Sequence, residues 1–256
     1  MSVKDAMLDA IPATLRSRIL CERRTIPALS DVASWRNYDR LWTSDDVLPI
    51  RLKALGGKPI WARGGTTDRR TIAGTFGHRY HLPPGDFAPS WIWDLGANIG
   101  TTAADLAARF PRAHVIAIEL DGENAELCAR NIDPWRDRCT VIHAGVWPDD
   151  GTVHYDAHGA TEEGFSVSIG DTEVRALSLN TLLADHPAEG IFVKMDIEGA
   201  ERGVLQTNTE WASAVSSLNV EIHPPYTFAE CVSDVERLGF MVLTHPRHPF
   251  GVLATR

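Results

Sequence analysis

From residue 91 onwards, short apolar runs rich in β-branched and aromatic residues alternate with stretches in which apolar residues recur at helical spacing. Helical spacing is seen for example at Ile99, Ala103, Leu106 and Phe110. The strand-like runs are WIWDLG (91–96), HVIAIEL (114–120), CTVIHAGV (139–146), IFVKMDIEG (191–199) and SLNVEIHP (217–224). Strands that alternate with helices in this way predict a parallel sheet covered by helices.

Further strand-like runs extend this pattern. GTVHYDA (151–157) and EVRALSL (173–179) flank a polar loop between the third and fourth strands, and this insertion could help to cover a pocket. After the last helix, FMVLTH (240–245) and GVLAT (251–255) could form a closing hairpin. We therefore predict an α/β fold with a mostly parallel sheet of about seven strands, one of them antiparallel.

The chain before this alternation has a different character. Its first 20 residues predict an amphipathic helix. The turn-forming residues Pro83-Pro84-Gly85 indicate the junction between this segment and the alternating strands and helices. We divide the chain into a helical or extended N-terminal segment, residues 1–85, and a second domain, residues 86–256. The N-terminal segment could act as a lid, line an acceptor pocket or form the contact of a homodimer.

Composition narrows the class of protein. The chain has 256 residues, 44% of them hydrophobic and 23% charged, which suits one globular domain with a terminal extension. A formal net charge of −9 without any Lys- and Arg-rich run would repel a phosphate backbone, so we expect no nucleic acid partner. No apolar run approaches the roughly 20 residues that cross a bilayer, and the N-terminus lacks the apolar core of a secretory signal. We expect a cytoplasmic protein without a membrane span.

The strongest local signal is Asp94-Leu95-Gly96-Ala97-Asn98-Ile99-Gly100, where a buried strand turns into a helix. Glycines at 96 and 100 let the backbone approach a ligand closely, and the helix N-terminus favours a negative group. Glu119 ends the next strand, where its carboxylate could accept hydrogen bonds from both hydroxyls of a ribose. The spacing G-x-x-x-G differs from the G-x-G-x-x-G that dinucleotide sites use for a pyrophosphate. These features predict a nucleoside ligand without phosphates.

Four motifs in this order, DLGANIG, AIELDGEN, VKMDIEGAERGVL and NVEIHP, resemble the FkbM-like family of class I S-adenosylmethionine-dependent methyltransferases. The resemblance covers residues 58 to 245. It implies a Rossmann-like fold, S-adenosylmethionine as the methyl donor, and O-methylation, often of sugars or secondary metabolites.

The resemblance also assigns cofactor-binding positions. Those that match the family's methionine site are Asp94, Gly96, Asn98 and Gly100. The ribose position is Glu119, which Asn124 would assist. The small residues that match the adenine site are Ala144 and Gly145, with His143 beside them.

A hydroxyl is a weak acid, so its methylation needs a general base, a metal ion or both. The fourth strand ends with Asp196 and Glu198 and the fifth with Glu221 and His223, and strand alternation gathers all four at the C-terminal edge of the sheet. His143, at the end of the third strand, could join them. We predict that Glu198 and His223 contact the acceptor or a metal, and that Asp196 and Glu221 act as ligands or orienting groups.

Three interpretations of this group remain open. It could perform metal-free acid–base catalysis, or it could be a structural network in which Glu201 is only a first-turn helix charge. It could also coordinate Mg²⁺ or another divalent cation, with Asp196, Glu198, Glu221 and His223 as the ligands. Lys194, just upstream, could form an ion pair with one of the carboxylates, and we assign it no catalytic role.

We predict an O-methyltransferase that acts on a small-molecule or oligosaccharide acceptor, in particular a sugar hydroxyl of a glycan, glycolipid or polysaccharide precursor. Two alternatives are a methyltransferase of a nitrogen or carboxylate and a nucleoside-binding protein without turnover. The sequence His223-Pro224-Pro225-Tyr226 resembles the Asn/Asp-Pro-Pro-Tyr box of amino-methylating enzymes. It differs because it begins with His and follows the fifth strand instead of the fourth.

Overall fold

The computed structural model of this chain describes residues 22–156, 171–243 and 251–256. The chain divides into two units, Met1–Arg79 and Tyr80–Arg256. The amphipathic helix expected in the first 20 residues and most of the polar loop before residue 173 lie outside the described residues. Among the described residues, no helix combines the length and the apolar character needed to span a membrane.

The strands and helices are labelled in chain order. The strands are β1 (Val47–Arg51), β2 (Pro59–Arg63), β3 (Trp91–Leu95), β4 (His114–Glu119), β5 (Cys139–His143), β6 (Gly145–Val146), β7 (Gly151–Tyr155), β8 (Thr172–Leu177), β9 (Ile191–Met195), β10 (Val215–Glu221), β11 (Met241–Leu243) and β12 (Gly251–Thr255). The α-helices are α1 (Val32–Arg40), α2 (Asp68–Ala73), α3 (Thr101–Arg109), α4 (Gly122–Ile132), α5 (Leu179–Asp185), α6 (Glu201–Gln206) and α7 (Phe228–Arg237). Short 3₁₀ helices lie at Ile26–Ala28, Lys53–Leu55, Asp133–Trp135 and Thr209–Ala214, and a π-helical turn lies at Gly74–His78.

The first unit contains an antiparallel pair, β1 and β2, that the 3₁₀ turn between them connects. Arg69 on α2 is buried and forms an ion pair with Glu22 at 2.9 Å. Its guanidinium lies 3.8 Å from the ring centroid of Tyr38 and 4.7 Å from that of Trp42. A buried guanidinium needs a carboxylate and stacking partners to offset its lost hydration, so this contact ties α1 to α2.

The second unit is built on a seven-stranded sheet in the order β11-β12-β10-β9-β3-β4-β5. The five strands from β10 to β5 are parallel, and β12 runs antiparallel to both of its neighbours. Trp93, Phe192 and Trp211 are among the largest fully buried side chains of the core. The prediction of an α/β fold with about seven mostly parallel strands and a closing antiparallel hairpin is confirmed.

The third predicted strand differs from the prediction because it is divided at Ala144. β5 ends at His143 in the main sheet, whereas β6 pairs with β8 in a separate three-stranded sheet of order β6-β8-β7. Ala144 N donates to the carbonyl of Glu119 at 3.0 Å, which is the last bond to β4 before the chain leaves the main sheet. The insertion therefore forms its own small sheet at the C-terminal edge of β5.

Side-chain hydrogen bonds fix the start of helix α7. The Thr227 side chain accepts from the backbone of Glu230, and the Glu230 carboxylate accepts from the backbone of Thr227, which completes a capping box. Cys231 and Val235 face the core, while Phe228, at the first helical position, is 52% exposed. The helix therefore packs against β11 and β12, the strands of the closing hairpin.

Candidate active site

The turn from β3 to α3, residues 94–100, is called the nucleoside turn below. Gly96 has φ +75°, and a Cβ atom there would lie 1.7 Å from the carbonyl oxygen of Asp196. Asp196 N also donates to the carbonyl of Leu95 at 3.0 Å. Only glycine fits at this position, because the segment after β9 crosses directly against the turn.

Asn98 holds the middle of the nucleoside turn in a left-handed conformation, with φ 50°. Its Oδ1 accepts from Ile99 N at 2.6 Å, which compensates for a backbone conformation that asparagine tolerates better than most residues. At the end of the turn, Gly100 has φ +79°, and a Cβ there would lie 2.7 Å from Cys128 Sγ on α4. Asp94 lies beneath the turn and accepts from Thr102 Oγ1 at 2.5 Å.

Glu119, at the end of β4, faces the nucleoside turn. Its Oε2 accepts from Asn98 N at 2.7 Å and its Oε1 from Asp121 N at 3.0 Å. Burial raises the pKa of Glu119 to about 7, although both backbone hydrogen bonds oppose this shift. Each oxygen can accept one further hydrogen bond, so the carboxylate fits the two hydroxyls of a ribose. The residues present therefore suit the nucleoside part of S-adenosylmethionine.

The side of the site assigned to adenine is built around the start of α4. Asp121 caps this helix by accepting from Asn124 N at 2.9 Å, and Tyr155 of β7 donates to its other oxygen at 3.2 Å. A Cβ at Gly145 would lie 2.9 Å from the Leu120 side chain and 3.0 Å from that of Val153. Packing between these side chains is sufficient to require a small residue at 145.

His143 ends β5 next to this region, in register with Glu119. It is exposed, and its Nε2 lies 3.0 Å from the carbonyl oxygen of Leu120. Strands β4 and β3 separate β5 from β9, so the fold does not bring His143 to the carboxylates that follow β9 and β10. It therefore lies beside the start of α4, on the side that the resemblance assigns to adenine.

Four of the predicted catalytic residues do follow neighbouring strands, and we call Asp196, Glu198, Glu221 and His223 the carboxylate–histidine cluster. His223 Nε2 lies 3.3 Å from Glu198 Oε2 and 3.7 Å from Asp196 Oδ1. Three residues of the cluster each offer one possible ligand atom, and these atoms lie within 4.8 Å of one another: Asp196, Glu221 and His223. Because Asp196 also contacts Gly96, the cluster borders the nucleoside turn.

Charge within the cluster shifts its protonation. Burial raises the pKa of Glu198 to about 7, and the charge of Asp196 adds to this effect. Burial alone would lower the pKa of His223, but its hydrogen bond to Glu201 and the charge of Glu198 raise it to about 9. At neutral pH without a bound cation, His223 is protonated, and Glu198 is the group poised to gain or lose a proton.

Glu201 is a residue whose importance the sequence does not reveal. Its fully buried carboxylate accepts from Ile197 N at 3.1 Å and Gly199 N at 2.9 Å, and its Oε1 lies 2.8 Å from His223 Nδ1. These contacts orient the imidazole so that Nε2 faces Glu198. They also hold the segment in which Glu198 adopts φ 53°, a strained conformation for a non-glycine residue.

Comparisons with known proteins give a family match and several solved structures of similar fold. The family described as "Methyltransferase FkbM domain" matches residues 94–244, more than half of the chain. The crystal structure of methyltransferase FkbM from Methylobacillus flagellatus is similar, with a TM-score of 0.50 and 16% identity over 94% of this chain. Precorrin-6y C5,15-methyltransferase from Geobacter metallireducens gives a TM-score of 0.42 at 12% identity, covering 75% of this chain and 89% of that one.

Among curated proteins, the tRNA1(Val) (adenine(37)-N6)-methyltransferase of Vibrio parahaemolyticus is 34% identical over 61 residues, 23% of this chain. The chain spans 26% of the length of that relative and 60% of the length of the FkbM structure. The likeness to the FkbM structure concerns the fold, whereas the family match rests on the sequence itself. This chain belongs to the FkbM family of S-adenosylmethionine-dependent methyltransferases.

Proposed function

We propose that this protein transfers the methyl group of S-adenosylmethionine to a hydroxyl oxygen, and that the acceptor is a sugar. The observation that carries the proposal is the carboxylate–histidine cluster, which borders the nucleoside turn and in which Glu201 holds His223 against Glu198. A hydroxyl needs such a proton acceptor, whereas a carboxylate acceptor, already anionic, does not. The excess of carboxylates would also repel an anionic acceptor.

S-adenosylmethionine supplies an activated methyl group, so the protein's task is to align the acceptor and remove its proton. Glu198 is suited to accept that proton because its pKa of about 7 lies near neutrality. The protonated His223 keeps Glu198 and Asp196 together by opposing their mutual repulsion.

The alternative of a nitrogen acceptor has less support. Tyr226, the last residue of His223-Pro224-Pro225-Tyr226, is buried and donates to Asp234 Oδ2 of α7 at 2.7 Å. Its hydroxyl is therefore used to anchor α7 to the end of β10. This residue has a packing role that does not require an amino substrate.

A second candidate is metal-assisted transfer, because ligand atoms of Asp196, Glu221 and His223 lie within 4.8 Å of one another. Two carboxylates and one imidazole suit Mg²⁺ or Mn²⁺. In this case the cation would polarise the hydroxyl and replace the proton on His223. Methyl transfer measured after chelation, and again after Mg²⁺ or Mn²⁺ is restored, separates this candidate from metal-free base catalysis.

The test of the proposed function is incubation of the protein with labelled S-adenosylmethionine and a panel of mono- and oligosaccharides. Mass spectrometry detects methylated products, and nuclear magnetic resonance identifies the methylated atom. We expect an O-methyl sugar with the wild type and at least about a hundredfold slower transfer with Glu198→Gln, in the range that general bases contribute. Glu236→Gln on the exposed face of α7 is the matched control. Methylation of an amine or carboxylate instead would contradict the proposal.

A further inference from the structure

A buried polar row crosses three neighbouring strands below the nucleoside turn. Asp94 of β3 is the register partner of Lys194 of β9, and Lys194 is the register partner of Asn219 of β10. Register partners point to the same face of a sheet, and all three residues are at most 5% exposed. Lysine is rarely buried unless its charge is paired, so its position here needs a physical reason.

The contacts of Lys194 supply that reason. Its Nζ donates to the carbonyl of Gly96 at 2.9 Å and lies 3.2 Å from Asp196 Oδ2 and 3.5 Å from Asp94 Oδ1. Two carboxylates at these distances favour the charged form of the lysine side chain. The ammonium group is therefore charged and joins the base of the nucleoside turn, its backbone and the carboxylate–histidine cluster.

The neighbours of the row limit the movement of these groups. Thr102 Oγ1 donates to Asp94 Oδ2 at 2.5 Å, and Asn219 Nδ2 donates to the carbonyl of Tyr80 at 2.7 Å. Asp94 is therefore held in place by a side chain of α3 and by Lys194 of β9. A change at Lys194 is transmitted to both Gly96 and Asp196, because its Nζ contacts the carbonyl of the first and the carboxylate of the second.

We propose that Lys194 is a positioning residue for the cofactor: it fixes the Gly96 carbonyl and sets the net charge that the nucleoside turn presents to the bound ligand. Asp94 and Asp196 with Lys194 carry a formal charge of −1, and without Lys194 they would carry −2. The methyl donor is a sulfonium cation, whereas its product is a neutral thioether. Lys194 therefore reduces the preference of the site for donor over product and so favours exchange of the two.

The test measures the dissociation constants of S-adenosylmethionine and S-adenosylhomocysteine by isothermal titration. Lys194→Met removes the charge with little change in volume, and we expect the preference for the cationic donor over the neutral product to rise by about tenfold. Lys194→Arg restores a cation and should return the preference towards that of the wild type. Lys58→Met, on the exposed surface of the first unit, is the matched control and should leave both constants unchanged.

A purely structural lysine would weaken both ligands equally, so an unchanged preference in folded Lys194→Met overturns the inference. If Lys194→Met does not fold, Asp196→Asn tests the inference instead. It makes the net charge of the group formed by Asp94, Asp196 and Lys194 less negative, whereas Lys194→Met makes it more negative. Its preference for the donor should fall, and a preference that stays constant or rises overturns the inference. The test does not depend on the acceptor, so its outcome is distinct from that of the proposed sugar O-methylation.

Discussion

Glu119 is subject to two opposing effects. Its carboxylate is buried, which disfavours the charge, yet it accepts two backbone hydrogen bonds that favour the charge. Burial is the larger effect, so the pKa is about 7. In the ligand-free protein, Glu119 therefore gains a proton at a higher pH than an exposed glutamate does. This is the expected arrangement for a group whose remaining hydrogen bonds are made with a ligand.

The raised pKa of Glu119 predicts a pH-dependent stability of the ligand-free protein. The folded state holds this proton up to about pH 7, whereas the unfolded chain releases it near pH 4.5. The folded state binds more protons in this window, so the free energy of unfolding falls as pH rises through it, by about 3 kcal/mol from this residue. Urea unfolding of wild type and Glu119→Gln across the window measures the effect.

Glu198 has a similarly raised pKa, so the comparison between the two proteins is what isolates Glu119. The fall with rising pH should be smaller in Glu119→Gln by the contribution of this residue. If the two proteins lose the same free energy across the window, the ionisation of Glu119 is not coupled to folding. The variant should also bind S-adenosylhomocysteine at least about tenfold more weakly, because an amide has one acceptor oxygen instead of two.

The nucleoside turn depends on contact with a second element. Gly96→Ala places a methyl group 1.7 Å from the backbone of Asp196, which cannot move without displacing β9. Gly239→Ala is the matched control, since φ is +86° there and, among the described residues, the added carbon meets only Arg256 at 4.0 Å. We expect about 1 kcal/mol of destabilisation for the control and at least about 3 kcal/mol for Gly96→Ala in urea unfolding. Equal losses would show that the turn and β9 separate easily.

The segment between β9 and α6 depends on Glu201. Glu201→Ala leaves the N–H groups of Ile197 and Gly199 and the Nδ1 of His223 without this acceptor. We expect a loss of at least about 3 kcal/mol in the free energy of unfolding, and about half of that for Glu201→Gln, which keeps one acceptor oxygen. Glu236→Ala, on an exposed helical face, should change stability by less than about 0.5 kcal/mol. An unchanged free energy of unfolding in Glu201→Ala would show that these contacts do not stabilise the segment between β9 and α6.

Local patterns predict the elements better than the contacts between them. Short apolar runs locate the central strands, which are buried on both faces, and the helical period locates the helices, which are buried on one. The division at Ala144 cannot be predicted from the continuous apolar run, because it depends on the packing of Gly145 between Leu120 and Val153. Glu201 was missed for the same reason, since its contact with His223 joins residues of different elements.

For the molecule as a whole, the described contacts of the nucleoside turn and of the cluster all lie within Tyr80–Arg256. We predict that a chain beginning at Tyr80 binds S-adenosylhomocysteine within about threefold of the full chain, as expected for a unit with its own core. Isothermal titration measures this, with circular dichroism to check folding. A folded fragment that does not bind S-adenosylhomocysteine would contradict this prediction.

The same truncation bears on the role predicted for the N-terminal segment. Retained binding with lost methyl transfer would support a function as lid or acceptor pocket, and a change of molar mass in solution would support a dimer contact. These roles stay predictions.

The row of Asp94, Lys194 and Asn219 also affects how the chain reaches its fold. A slip of β9 by one residue would turn Lys194 to the opposite face and leave Asp94 buried without its cation. The apolar residues of β9, Ile191 to Val193 and Met195, are buried on both faces and cannot discriminate between such pairings. The row therefore raises the free energy of structures in which β9 is shifted in register. The same buried charge that acts on the ligand also favours the correct pairing of the strands.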